Sequence, residues 1–100
     1  MKLDLGDVFD PSEIWAARNR IKQYIYRTPL IFSDSLSKLT GSEIYIKPEC
    51  WQRCGCFKVR GAVSHVSSLT QGELDKGLVT ASSGNHALAV AFASTLFGRP

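Results

Sequence analysis

Leu78-Val79-Thr80-Ala81-Ser82-Ser83-Gly84-Asn85-His86-Ala87 decides the fold class. The first four residues form a short apolar run and read as a strand. Ser82-Ser83-Gly84 turns, and Asn85 opens a helix that runs to about Phe97. A strand passing through a tight turn into a helix is a unit of α/β architecture. Such a turn also directs backbone N–H groups at the space before the helix, where the helix dipole favours a carboxylate or phosphate. Ser83 and Asn85 add short polar groups that can face a ligand. The same residue types are common helix caps, so this segment alone leaves both roles open. The helix that follows is apolar nearly all round, which predicts burial, and Gly98 ends it.

Working back from that unit, Thr70 through Gly77 is a polar connection with room for one helical turn. Before it, Phe57 to Leu69 reads as a helix with Val59, Ala62, Val63, Val66 and Leu69 inward. Pro48 through Gly55 is a loop. Glu43-Ile44-Tyr45-Ile46-Lys47 alternates and is rich in strand formers. Ser33 or Asp34 caps a brief helix with Leu36 and Leu39 inward, closed by Gly41, and Leu30-Ile31-Phe32 is a short strand. Asp10-Pro11-Ser12-Glu13 marks another helix start. Ile14, Ala17, Ile21, Tyr24 and Ile25 follow at helical spacing as its buried face, and Arg18, Arg20, Lys22 and Arg27 form a solvated one. Thr28-Pro29 ends that helix, because proline disfavours helical geometry in the residue before it. Alternating strands and helices predict parallel pairing. Pro100 falls where a further strand is due, and a sheet left open there exposes an unpaired edge; the expectation is that the natural protein is longer.

Composition narrows the function classes. The 100 residues are 44% hydrophobic and 21% charged, with a formal net charge of +3, as in an ordinary globular domain. No basic stripe with interleaved aromatics points to nucleic acid. The acidic opening Met1 to Asp7 lacks an apolar core of signal-peptide length, and no apolar run approaches a membrane span. A cytoplasmic protein is expected. Cys50, Cys54 and Cys56 are odd in number and clustered, which suits reduced thiols and not a disulfide framework.

A second segment carries chemistry: Lys47-Pro48-Glu49-Cys50-Trp51-Gln52-Arg53-Cys54-Gly55-Cys56-Phe57-Lys58-Val59-Arg60-Gly61-Ala62. It places one lysine in the first turn of a helix after a glycine-containing loop. The positive end of the helix dipole and partial burial both disfavour a charged ammonium there. A neutral amine is the form that makes a Schiff base and moves protons. Phe57, adjacent, can pack on a flat ring. A lone lysine at a helix start is otherwise an ordinary surface residue.

Together the two segments resemble the serine racemase and threonine dehydratase branch of the fold-type II pyridoxal-phosphate enzymes. The resemblance rests on Gln52 through Ala62 and on Ser82-Ser83-Gly84-Asn85-His86. Arg27-Thr28-Pro29-Leu30, Leu36-Ser37-Lys38-Leu39-Thr40-Gly41 and Lys47-Pro48-Glu49 support it, in family order from about Ile14 to Pro100. It implies the N-terminal part of a two-domain, tryptophan synthase beta-like α/β fold with parallel sheets flanked by helices. Residues 1–70 would belong to the large domain, 71–76 to a connection and 77–100 to the start of the small domain, with the active site in the cleft between them. Lys58 matches the lysine that holds pyridoxal 5'-phosphate as a Schiff base and exchanges the α-proton. Phe57 matches the residue packed on the pyridine ring, and Asn85 the one bonded to the phenolic oxygen. Ser82, Ser83, Gly84, Asn85 and His86 match the loop that grips the substrate carboxylate. Ser83 matches the acid/base on the opposite face in racemases.

The implied activity is elimination of water from serine or threonine, giving a 2-oxo acid and ammonia, with racemisation of a small amino acid as the alternative. The implied partners are a small amino acid and further copies of the chain in a homo-oligomer, with neither nucleic acid nor membrane. Cys54 and Cys56 stand where the family usually has Ser or Thr and Ser, and Ala87 where Gly is frequent. The family's glycine-rich phosphate cup and its partner for the pyridine nitrogen lie downstream, so these 100 residues alone are expected to hold the cofactor poorly and not to turn over. The rival from another class is a metal or redox module on the three cysteines, but C-x3-C-x-C is not a common zinc spacing and a fourth ligand would have to be His65 or His86; no metal is expected. An inactive or interaction fragment is the other non-enzyme alternative. Ser83 with His86 lacks a third triad member and a nucleophile elbow, and Gly84-Asn85 lacks the P-loop glycine spacing and its Lys-Ser/Thr.

Overall fold

Three helices start where short polar side chains can take an orphan backbone N–H. In the computed structural model, which describes residues 10–98, Asp10 caps α1 (Pro11–Ile21), accepting from the Ser12 N–H. Ser33 caps α2 (Asp34–Thr40), and Thr70 forms a full capping box with Glu73 on α4 (Gln71–Leu74). The remaining helices are α3 (Lys58–Ser67) and α5 (Asn85–Leu96). Two 3-10 turns, Glu49–Trp51 and Arg53–Gly55, precede α3. The acidic opening from Met1 to Asp7 and the terminal Pro100 lie outside the described residues.

The core forms where α1 and α5 pack on α3. Val59, Ala62, Val63 and Val66 recur at helical spacing and are all buried. They meet Ala89 and Ala93 of α5 and Ile21 of α1. Small residues on α5 let the helices approach closely, and each fully buried valine contributes about 1.5–3 kcal/mol. Tyr24 and Phe97 close one end of the cluster edge-to-face, with ring centroids 5.5 Å apart.

The sheet departs from the parallel arrangement that the sequence predicts. It consists of β1 (Ile31–Phe32) and β2 (Tyr45–Ile46), paired antiparallel with Ile31 opposite Ile46 and Phe32 opposite Tyr45. The reason is the connection. Gly41, in the left-handed region at φ 70°, closes the two-turn helix α2 and turns the chain back along β1. The Ile44 N–H then donates to Ser37 Oγ at 2.8 Å, and the Ser33 N–H to the Ile44 carbonyl at 2.9 Å.

Leu78–Ala81 is not a strand. A strand exists only in a ladder, and no partner lies beside this segment among the described residues; Val79 is 99% exposed. α1 ends at Ile21 rather than at Thr28-Pro29, because Tyr24, Ile25 and Tyr26 are poor helix formers and the Tyr26 N–H is taken by Gln52. Ile14, Leu36 and Leu39 were expected inward and are exposed. α5 buries one stripe, Ala89, Ala93 and Ser94, rather than its whole circumference. Among the described residues no helix is long and apolar enough to cross a membrane.

Candidate active site

Lys58 is the first residue of α3, and Phe57 occupies the position before it without a side-chain cap. The ammonium of Lys58 lies 5.1 Å from the Phe57 ring centroid. Among the described residues it meets no hydrogen-bond acceptor and no carboxylate. Both side chains are exposed, Phe57 by 59%. The partial burial of Lys58 that the sequence suggested is therefore not provided by the described residues. Val59 takes the inward position, and its neighbour on the helix, about 100° away, turns outward.

Ser82, Ser83, Gly84, Asn85 and His86 are likewise all exposed. Ser82 Oγ accepts from the Gly84 N–H at 3.2 Å, which bends the loop back just before α5. Gly84 occupies the cap position, so α5 also begins without a side-chain cap. Among the described residues the amides of Asn85, His86 and Ala87 meet no acceptor. These are the orphan donors of a helix start. The capping role open to Ser83 and Asn85 in the sequence is thus not the one they take. Among the described α-helices, α3 and α5 alone begin without a side-chain cap.

The core joins the two segments through α3 and α5. The turn that leads to Lys58 also touches the first turn of α5, with Cys54 Sγ 4.0 Å from the Leu88 carbonyl oxygen. A groove of about 690 Å³ lies elsewhere, between α1 and α3, lined by Trp15, Arg18, Tyr26, Arg27, Lys47 and Arg60 among others. It shares no residue with the sequence-derived site.

A polar network beside α3 was not legible in the sequence as a unit. Arg60 donates from Nε to Glu49 Oε2 and from Nη2 to Glu49 Oε1, both at 2.7 Å. Buried Thr28 donates its hydroxyl to the same Glu49 Oε1 and accepts the Lys47 ammonium on its carbonyl at 2.8 Å. The Arg60 hydrogen bonds, against the opposing effect of burial, hold the Glu49 carboxyl down at about 2. Arg60 is raised in turn by the hydrogen bond to Glu49. No helical or strand periodicity pairs residues 49 and 60; Thr28, Glu49 and Arg60 each fall in a motif of the family resemblance, but nothing in those motifs pairs them.

The cysteines are free: Cys50 exposed, Cys54 half-buried and Cys56 buried. Burial pushes the Cys54 thiol up. Among the described residues no group of three or more His, Cys, Asp and Glu side chains is arranged to hold a metal ion.

The chain resembles proteins of known family. The family described as "Pyridoxal-phosphate dependent enzyme" matches residues 21–100. Serine racemase of Oryza sativa subsp. indica is 43% identical over 95 residues, which are 95% of this chain and 28% of the relative. L-threonine ammonia-lyase of Thermotoga maritima is 44% identical over 88 residues, covering 88% of this chain and 22% of that one. The structure of maize serine racemase superimposes with a TM-score of 0.85 at 44% identity, over 91% of this chain and 29% of that chain. The chain thus spans less than a third of the length of these relatives.

The residues at the two helix starts fit pyridoxal phosphate. Lys58 offers an exposed primary amine for an aldehyde carbon, Phe57 an exposed aromatic face for a flat ring, and Asn85 an exposed amide donor for an oxygen. With this donor set and a family match over residues 21–100, the chain belongs to the pyridoxal-phosphate dependent enzymes.

Proposed function

We propose that the protein carrying this chain eliminates water from serine or threonine to give a 2-oxo acid and ammonia, with Lys58 as the cofactor-bearing lysine. The observation that carries this is the pairing of two uncapped, exposed helix starts on one core: among the described residues, Lys58 has no hydrogen-bond acceptor or carboxylate, and the amides of Asn85, His86 and Ala87 have no acceptor. Bound there, pyridoxal phosphate supplies an electron sink for charge that develops at the substrate α-carbon.

The chain's own residues then have distinct tasks. Phe57 would pack its exposed ring face against the flat cofactor. Asn85 would donate to its phenolic oxygen. The amides at the start of α5, with Ser82, Ser83, Gly84 and His86 around them, receive the substrate carboxylate, where the helix dipole favours negative charge. This fixes the α-carbon between the two helix starts. With cofactor and substrate bound, the Lys58 amine would take the α-proton as general base. In the dehydratase the β-hydroxyl then leaves as water. Residues up to about Thr70 form part of a large domain and those from about Gly77 the start of a small one, with 71–76 connecting them, so that closure of the cleft excludes water.

Racemisation is the second reading, favoured by the serine racemases among the similar proteins. It shares the first step and differs in the return of a proton to the opposite face, where Ser83 is the donor. Replacing Lys58 with alanine in the complete protein abolishes both activities; substantial turnover in that variant contradicts the assignment. Ser83→Ala suppresses racemisation more than elimination, and equal loss of both removes the separate acid/base role.

A further inference from the structure

We infer that Glu49, acting through Arg60, is a positioning residue for Lys58; the inference rests on the proposed role of Lys58 as the cofactor-bearing lysine. The segment that delivers Lys58 has little regular structure to aim it. Two 3-10 turns run from Glu49 to Gly55, and Cys54 and Gly55 are consecutive left-handed residues at φ 62° and φ 65°. A loop of this kind does not by itself fix the rotation of the helix that follows it.

Burial of Val59 sets the inward face of α3, and the Glu49–Arg60 pair adds a directional polar constraint on one flank of its first turn. Arg60 is the third residue of α3, and its backbone N–H bonds the Phe57 carbonyl at 3.1 Å. Its side chain reaches back across the loop to Glu49 with both prongs at 2.7 Å. Glu49 is in turn held by the hydroxyl of buried Thr28, whose oxygen also accepts from Arg60 Nη2 at 3.4 Å. A two-pronged guanidinium–carboxylate contact fixes orientation as well as distance. Residues two apart on a helix point roughly 200° from one another. With Val59 held inward, fastening Arg60 on one flank keeps Lys58 out on the opposite flank, where it is exposed, lies against the Phe57 ring and, among the described residues, has no hydrogen-bond acceptor or carboxylate. The pair does not touch Lys58, so its influence runs through the rotation of the first turn of α3.

The test uses the complete protein with pyridoxal phosphate and compares wild type with Glu49→Gln, Arg60→Lys and Arg60→Met. Borohydride reduction and peptide mapping give the fraction of sites labelled at Lys58, and kcat and KM are expressed per labelled site. Positioning predicts that each variant still labels but loses about tenfold or more in kcat per labelled site, with KM changed much less. It also predicts that Arg60→Lys is no better than Arg60→Met, because lysine keeps the charge and loses the fork. If the variants lose only heat stability or cofactor content, with kcat per labelled site within about twofold of wild type, the pair is merely structural and the inference fails. Should Glu49→Gln or Arg60→Met not fold, the milder Arg60→Lys decides between these outcomes. An unlabelled Lys58 in the wild type overturns the functional proposal and this inference together, whereas a labelled, active wild type with unaffected variants overturns this inference alone.

Discussion

The side chain of Gln52 binds the backbone of Tyr26 as a neighbouring strand would: Oε1 accepts from the Tyr26 N–H and Nε2 donates to the Tyr26 carbonyl, both at 2.8 Å. Gln52 is buried, and the same Oε1 also accepts from the Arg53 N–H at 3.0 Å. One amide thus closes off the chain after α1 and anchors the loop that leads to Lys58. Gln52→Ala leaves both Tyr26 groups without their partner and is expected to cost roughly 2–3 kcal/mol. A thermal melt of the variant checks this; an unchanged melting temperature contradicts it.

The pH dependence of stability carries the mark of Glu49. Its carboxyl is held at about 2, against an ordinary 4.5, chiefly by the hydrogen bonds from Arg60. A depressed carboxyl stabilises the fold fully above its unfolded value and ceases to do so as pH falls through its folded value. The stability difference between wild type and Glu49→Gln should therefore be constant above about pH 5 and shrink steadily between about pH 4.5 and 2. At neutral pH a charged hydrogen-bonded pair of this kind is worth about 1.5–3 kcal/mol. A difference independent of pH across that window contradicts the ion pair.

How much of this was legible in the sequence depended on the range of the forces involved. Caps are local, and the caps at Asp10 and Ser33 and the αL closure at Gly41 appear where the sequence places them. The stripe Val59, Ala62, Val63 and Val66 was legible because 3.6-residue periodicity is written into the chain. Leu78–Ala81 was misread because an apolar run specifies a strand only when a partner lies beside it. Leu36 and Leu39 show the same limit, since periodicity names a face but not what covers it. The residues of the candidate site stood out through their resemblance to a family. Thr28, Glu49 and Arg60 lie in the same motifs, but their joining as one network was not legible, because it links segments across irregular turns with no repeating spacing.

Cys54 is the only residue other than glycine at positive φ among the described residues. At φ 62° a branched Cβ is most heavily penalised, whereas asparagine tolerates the left-handed region. Cys54→Val should be less stable than Cys54→Asn by about 1–2 kcal/mol despite its greater apolarity. The reverse order in paired melts would show that burial of the side chain outweighs the backbone conformation.

Ala89 is fully buried where α5 meets α3. Ala89→Leu inserts volume between the helices that carry the two halves of the proposed site, at an expected cost of about 1–3 kcal/mol. It should also lower turnover per cofactor-loaded site, because it shifts Lys58 relative to the Ser82–His86 loop. Leu88→Ala, one position away and half exposed, is the control: a loss of stability and turnover as large as that of Ala89→Leu contradicts the packing argument.

The most direct test of the central claim is borohydride reduction of the complete protein loaded with pyridoxal phosphate, followed by peptide mapping. The amine at the start of α3 predicts a stable pyridoxyl group on Lys58 and on no other lysine of this chain. Folded, cofactor-replete protein with Lys58 unlabelled, or with the label on Lys47 or another lysine, would contradict the assignment of the site.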